Sequence, residues 1–258
     1  MISISDLHVY HGSAHALRGI DLAISEQRFT ALIGPNGSGK STLLGAMAGI
    51  VRAESGTVAV QTRDVSSYSR REFARLVSFL PQKMHIPAGL SVRELLVQGR
   101  FPWRNWLGGW STSDEQAVHR AAELCQIEIL LDRPLSSLSG GQAQRAWIAM
   151  TLAQDAEVIL LDEPTTYLDV ANQLGLLDLL SILRDAGRTV VAILHDLNQA
   201  ARYADELVMM RDGLVVAQGQ TPRIFNDRNI EKVFGIRSKM LTDAETGDVF
   251  CIPSSLSK

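Results

Sequence analysis

The stretch FTALIGPNGSGKST, residues 29–42, decides the architecture. Its first five residues are apolar enough for a strand buried on both faces. From Gly34 the chain fits G-x-x-x-x-G-K-[ST] and runs into an amphipathic helix carrying Leu43, Leu44 and Met47. Gly34, Gly37 and Gly39, interleaved with Pro35, Asn36 and Ser38, let the backbone curl until several N–H groups converge on phosphate oxygens. The N-terminus of the following helix adds its positive dipole end. In such a loop Lys40 reaches the β- and γ-phosphates, Ser41 ligates Mg²⁺, and the cradle for ATP runs through Thr42. A Gly-rich turn with a chance lysine is the bland alternative, and the strand and helix on either side weigh against it.

Working outward, Ile2, Ile4, Leu7 and Val9, then Ile20, Leu22 and Ile24, alternate as half-buried antiparallel strands do. Further apolar runs at 158–161 and 190–194 are each followed by a polar residue and a helical pattern. Leu174, Leu177, Leu180 and Leu183 recur every three residues before Gly187, a helix with a glycine stop. Alternating strand and helix imply a parallel sheet. Between about 87 and 150 the strand signals vanish, and Ser113 with Gln116 has the form of a capping box opening a helix through Ala117, Ala121 and Leu124. Asp212-Gly213 predicts a hairpin. The expected fold is α/β: a phosphate-loop NTPase core with a mostly parallel sheet, an N-terminal antiparallel β subdomain and an inserted helical subdomain. One domain is expected over 1–239, with a short C-terminal tail over 240–258.

The run VILLDE, residues 158–163, ends a buried strand in two adjacent carboxylates, at the edge where parallel sheets bind ligands. Asp162 would hold Mg²⁺ directly or through water, and Glu163 would polarise the attacking water as a general base. Alone, such a pair is as often a solvated turn; beside a phosphate loop the catalytic reading takes precedence.

A net charge of −3 over 258 residues offers no general attraction to nucleic acid. Cys125 and Cys251 stand outside any metal-ligand spacing and read as reduced, buried thiols. His8, His11, His15, His85 and His119 also lack ligand spacing and read as surface or packing residues. No stretch approaches the roughly 18–20 apolar residues of a membrane span, and MISISDLHVYHG lacks a secretory leader. A soluble, unexported protein is expected, with any membrane role reached through partners.

The pentapeptide LSGGQ, residues 138–142, is the most specific signal, and with it the chain resembles the nucleotide-binding subunit of ATP-binding cassette (ABC) transporters over about residues 2–235. Gly140 and Gly141 permit close backbone approach, Ser139 offers a hydroxyl, and the helix that follows Gln142, carrying Ala146, Ile148, Ala149 and Leu152, can point its N-terminus at an anion. The resemblance implies that this anion is the γ-phosphate held by a second copy of the chain, so that two copies sandwich ATP. It also implies an adenine-stacking role for Tyr10, contact of Gln82 with Mg²⁺ and water, a dimer-seam loop ending at Asp169, and a γ-phosphate-sensing switch at His195. Singly, Tyr10 could be edge-strand packing, Gln82 loop solvation and His195 a satisfied sheet-end histidine; their ordered occurrence makes the case.

GRFPW at 99–103, with Trp106, Trp110 and the segment TTYLD at 165–169, resembles the branch of this family that serves ferric-siderophore, haem and cobalamin importers. That branch implies an ATP-hydrolysing subunit at the cytoplasmic face of the inner membrane, with two polytopic permease subunits and, indirectly, a substrate-binding protein as partners. Ala143 and Thr166 depart from common family choices. Trp103, Trp106 and Trp110 read either as a partner surface or as packing within the helical lobe. The competing expectation is a soluble single-cassette ATPase of the iron-sulfur assembly type, and co-purification with membrane proteins separates the two.

Overall fold

Alternation builds the first sheet. In the computed structural model, which describes residues 1–84, 89–104, 109–166 and 168–256, β1 (Ile2–His11) and β2 (Ala14–Ile24) pair antiparallel, with Ile2 opposite Ile24 and His11 opposite Ala14 at the turn. Next comes β3 (Phe29–Ile33), buried at every position, and the phosphate loop leads from it into α1 (Lys40–Met47). β4 (Ser55–Val60) joins β1, and β5 (Arg63–Asp64) joins β4, giving the antiparallel order β2-β1-β4-β5. α2 (Arg70–Leu76) then feeds β6 (Val77–Leu80).

Among the described residues between β6 and the next strand, α3 (Val92–Gln98), α4 (Thr112–Leu124) and α5 (Gly140–Ala153) pack on one another. Strand and helix then alternate through β7 (Val158–Leu161), α6 (Val170–Asp185), β8 (Thr189–Ile193), α7 (Leu197–Tyr203) and β9 (Glu206–Arg211), and β10 (Leu214–Gln220) returns antiparallel. The central sheet has the order β10-β9-β3-β8-β7-β6, parallel everywhere except at β10. α8 (Thr221–Ile224), α9 (Asp227–Phe234) and the hairpin of β11 (Ile236–Thr242) with β12 (Val249–Leu256) complete the chain.

Side-chain alternation along β3 divides the interior into two cores. Phe29, Ala31 and Ile33 face a core shared with the helices α3 to α7, whereas Leu32 faces one shared with α1 and the antiparallel sheet. Burying each large apolar side chain contributes about 1.5–3 kcal/mol, so β3 is held from both sides and the loop that follows it is tightly placed.

Two expectations change. α4 starts at Thr112 and is capped by Ser111, two residues before the predicted box. Asp114 decides this: its carboxylate accepts from the Ser111 backbone and hydroxyl and, in the buried interior, from Arg100 Nε at 2.9 Å, which pins the first turn. The predicted tail boundary at 239 falls inside β11. Cys251 in β12 is buried, and it exchanges backbone hydrogen bonds with the Asn198 side chain of α7 (2.8 and 3.3 Å), so the hairpin is stitched to the core.

Trp103 is half-buried between the guanidiniums of Arg75 and Arg100, with its indole N–H on the Gln154 carbonyl at 2.7 Å, and Trp110 donates to Glu115 at 2.7 Å. His85, Pro87, Trp106 and Tyr167 lie outside the described residues. Among the described residues no helix is long and apolar enough to cross a membrane.

Candidate functional site

Four neighbouring parallel strands, β3, β8, β7 and β6, end on the same side of the sheet, and each delivers a predicted residue just beyond its carboxyl end. β3 gives the loop 34–42, β8 gives His195, β7 gives Asp162 and Glu163, and β6 gives Gln82. Such sheets bind ligands at this edge because the loops there diverge and helix N-termini point into the gap.

Two glycines seat the loop. A Cβ on Gly34, whose φ is +155°, would stand 2.2 Å from the Met210 carbonyl oxygen; one on Gly39, with φ +98°, would stand 2.8 Å from that of Ala16. β9 and β2 therefore press on the loop from behind. Lys40 is buried, and its ammonium donates to the carbonyls of Gly34 (2.8 Å) and Pro35 (2.9 Å). Burial lowers its pKa below the usual lysine value, partly opposed by the negative charges of Glu163 and Asp162.

Ser41 Oγ donates to Asp162 Oδ1 at 3.1 Å. Burial raises the Asp162 pKa, with the neighbouring Glu163 charge in the same direction and the Ser41 and Lys40 contacts opposing. Glu163 sits in the left-handed region at φ +52°, a strained setting for a side chain of this size. Burial pushes its carboxyl up, but the hydrogen bonds from His195 and Gln82 outweigh that and hold it below the usual range. Those contacts are short: His195 Nε2 lies 2.7 Å from Oε1, Gln82 Nε2 donates to Oε2 at 2.7 Å, and Thr166 Oγ1 donates to Oε2 at 3.3 Å. With its amide nitrogen so engaged, Gln82 keeps its carbonyl oxygen as an acceptor.

These groups surround an open cleft of about 460 Å³, lined by residues 36–42 of the loop with His11, Ala16, Gln82, Glu163 and His195. Its protein donors toward a cation are oxygens: the Ser41 hydroxyl, the Asp162 carboxylate and the Gln82 amide carbonyl. That set matches a hard ion bound through few protein ligands plus substrate phosphates. Among the described residues no group of three or more His, Cys, Asp and Glu could enclose a metal alone.

The remaining predicted residues are placed elsewhere. Ser139, Gly140, Gly141 and Gln142 do not line that cleft. Ser139 is exposed and caps α5, its hydroxyl oxygen accepting from the Gln142 backbone while the Gln142 side chain accepts from the Ser139 backbone. S-x-x-Q is a capping-box spelling, so this double bond was legible in the sequence. Because Ser139 Oγ is used as an acceptor, its proton stays available to donate. Asp169 is exposed and caps α6 through Asn172, and Gln144 of α5 donates to the Pro164 carbonyl beside Glu163.

Tyr10 is 47% exposed and stacks on His15, ring centroids 4.1 Å apart and 9° from parallel. His15 in turn bonds His8 at 3.1 Å, and His8 bonds Asp6 at 3.1 Å. The reading of His8, His11 and His15 as surface or packing residues holds, and the structure adds what they pack on. His15 backs the predicted adenine platform, and His11 reaches Thr42. Spacing could not find them, since the contacts cross a hairpin turn and a loop; Tyr10 within a histidine-rich turn was the available signal.

A family model for the ABC transporter matches residues 17–166. The chain is 43% identical over 253 residues to the "Probable siderophore transport system ATP-binding protein YusV" of Bacillus subtilis (strain 168), covering 98% of this chain and 92% of that one. It is 41% identical over 244 residues to the ferric enterobactin transport ATP-binding protein FepC of Escherichia coli (strain K12), covering 94% and 90%. Among solved structures, an inward-facing conformation of a metal-chelate type ABC transporter superposes with a TM-score of 0.81 at 28% identity, covering 100% of this chain and 98% of that one.

Proposed function

The chain belongs to the ABC transporter family, and from that premise we propose that it is the ATP-hydrolysing subunit of an importer for ferric siderophores or a related metal chelate such as haem or cobalamin. Two copies would work head to tail against two membrane permease subunits, at the cytoplasmic face of the inner membrane, with a substrate-binding protein delivering the cargo. The segment at about 87–150 is the helical lobe of the cassette in this reading.

One observation carries the mechanism: a cleft holding the loop, Glu163 and His195 lies open, while the capped N-terminus of α5 with Ser139 faces out elsewhere on the same chain. A second copy would bring its Ser139–Gln142 turn over this cleft and close it. The γ-phosphate would then be gripped from both sides, so its loss on hydrolysis weakens closure, and the difference between the two states supplies the work.

Within the cleft, Lys40 would exchange its carbonyl acceptors for β- and γ-phosphoryl oxygens. The phosphate charge offsets the burial that lowers its pKa and keeps it an ammonium. Glu163, kept as a carboxylate by His195 and Gln82, would accept the proton of the attacking water. His195, with one nitrogen on Glu163, would sense the γ-phosphate from its other side. Ser41, Asp162 and Gln82 would hold Mg²⁺, whose chemistry is to neutralise charge on the phosphoryl oxygens. Tyr10, on its histidine backing, would stack the adenine.

Uptake tests the cargo assignment. Cells in which Glu163→Gln replaces the native chain should fail to accumulate labelled iron offered as a ferric siderophore, or cobalt offered as cobalamin. Undiminished uptake of siderophore, haem and cobalamin alike would refute the importer reading.

A further inference from the structure

His11 stands at the tip of the β1–β2 hairpin, one residue after Tyr10, and its Nε2 lies 3.0 Å from Thr42 Oγ1. The hairpin cannot drift from the phosphate loop. The Ala16 carbonyl would be 2.8 Å from a Cβ on Gly39 and 2.7 Å from one on Gly213, and Arg18 N donates to the Gly213 carbonyl at 3.0 Å. The imidazole, although exposed, is thus delivered to Thr42, the third residue of α1, on the wall of the cleft that also holds Lys40, Glu163 and His195.

The chemistry of that contact has a direction. A threonine hydroxyl has one proton and two lone pairs. If Nε2 accepted, the Thr42 proton would be consumed and its lone pairs would face the phosphate chain, which is repulsive. If Nε2–H donates into Oγ1, the hydroxyl proton is released toward the cleft, where a phosphoryl oxygen accepts it. Only the second arrangement suits an anion, and both the Nε2–H tautomer and the imidazolium supply it.

We propose that His11 is a nucleotide-positioning residue: through Nε2–H it fixes the Thr42 hydroxyl as a donor to the phosphate chain of the bound nucleotide. This rests on the reading of the cleft as the ATP site.

The test is a double-mutant cycle on the full-length chain, with ADP affinity measured by calorimetry for the wild type, His11→Ala, His11→Gln, Thr42→Val and the His11→Ala/Thr42→Val pair. Removing His11 should weaken ADP binding about 3- to 10-fold, the scale of one net hydrogen bond. His11→Gln, whose amide can donate, should recover most of it. In the Thr42→Val background His11→Ala should change affinity by less than about 2-fold, because the group it acts through is gone. His11→Ala binding ADP as tightly as the wild type, or a loss that adds in full to that of Thr42→Val, would overturn the proposal while leaving the ATP site intact. Wild-type chain that bound no ADP would instead overturn the reading of the cleft, and this one with it.

Discussion

The cleft around Glu163 and the turn around Ser139 hold the two most specific motifs of this chain, yet they are built in opposite ways. The cleft's groups are bound to one another across the sheet: Ser41 to Asp162, and Gln82 and His195 to Glu163. Among the described residues the Ser139 turn bonds only to its own helix end, and Ser139 stands exposed. Preorganised chemistry on one face and a self-satisfied, outward helix N-terminus on another are what a composite site requires of each half.

The largest effect should come from breaking Glu163, the proposed base. Glu163→Gln keeps the side chain's shape and should lower steady-state phosphate release by about 10²- to 10⁴-fold, while ATP-bound chain accumulates as a dimer in light scattering. Turnover near the wild-type rate would remove Glu163 from that role. Next comes Lys40→Ala, which deletes a buried ammonium; ATP affinity should fall roughly 10- to 100-fold by calorimetry, in line with hydrogen bonds to charged groups. An unchanged affinity would show that Lys40 stays on its loop carbonyls.

Breaking the other half should read differently. Ser139→Ala removes an N-cap and should cost about 1 kcal/mol of stability in thermal or denaturant unfolding, with loss of the ATP-induced dimer. A variant that still dimerises and turns over normally would detach this turn from the second active site. The comparison sharpens with pH. Glu163 is held below the usual carboxylate range, so the contribution of its ionised form persists as pH falls and is lost only through that lowered folded value. Gln82→Ala removes a donor and lets burial act, so the acid limb of turnover should move to higher pH; an unmoved limb would mean that Gln82 does not tune this carboxyl.

The smallest effect is a control on the interior. Cys125 is buried, which pushes its thiol up to about 12. In the native chain it should resist thiol-labelling reagents at neutral pH and react only on unfolding, as mass spectrometry can follow.

Legibility differed by the kind of contact. The loop 34–42, the Asp162–Glu163 pair and His195 could be read because each is contiguous in the chain and ends an apolar run whose burial is written in its composition. The start of α4 was misplaced because two serine caps compete within three residues, and the winner is set by the Arg100–Asp114 pair, formed from separate segments. Residues 240–258 read as a tail because the exposed, polar-rich strands of the hairpin there carry little burial signal, and the hairpin is held by Asn198 from α7.

By itself the amino-acid order determined which strands are buried, where phosphate can be cradled and which carboxylates stand beside it, since those properties follow from local periodicity and backbone chemistry. Only tertiary packing decided that Gln82 and His195 converge on Glu163, that His11 meets Thr42 and that Ser139 faces away from its own cleft. Such contacts depend on the order and register of strands far apart in the chain, and no local pattern encodes a distance between segments that meet only after the sheet has formed.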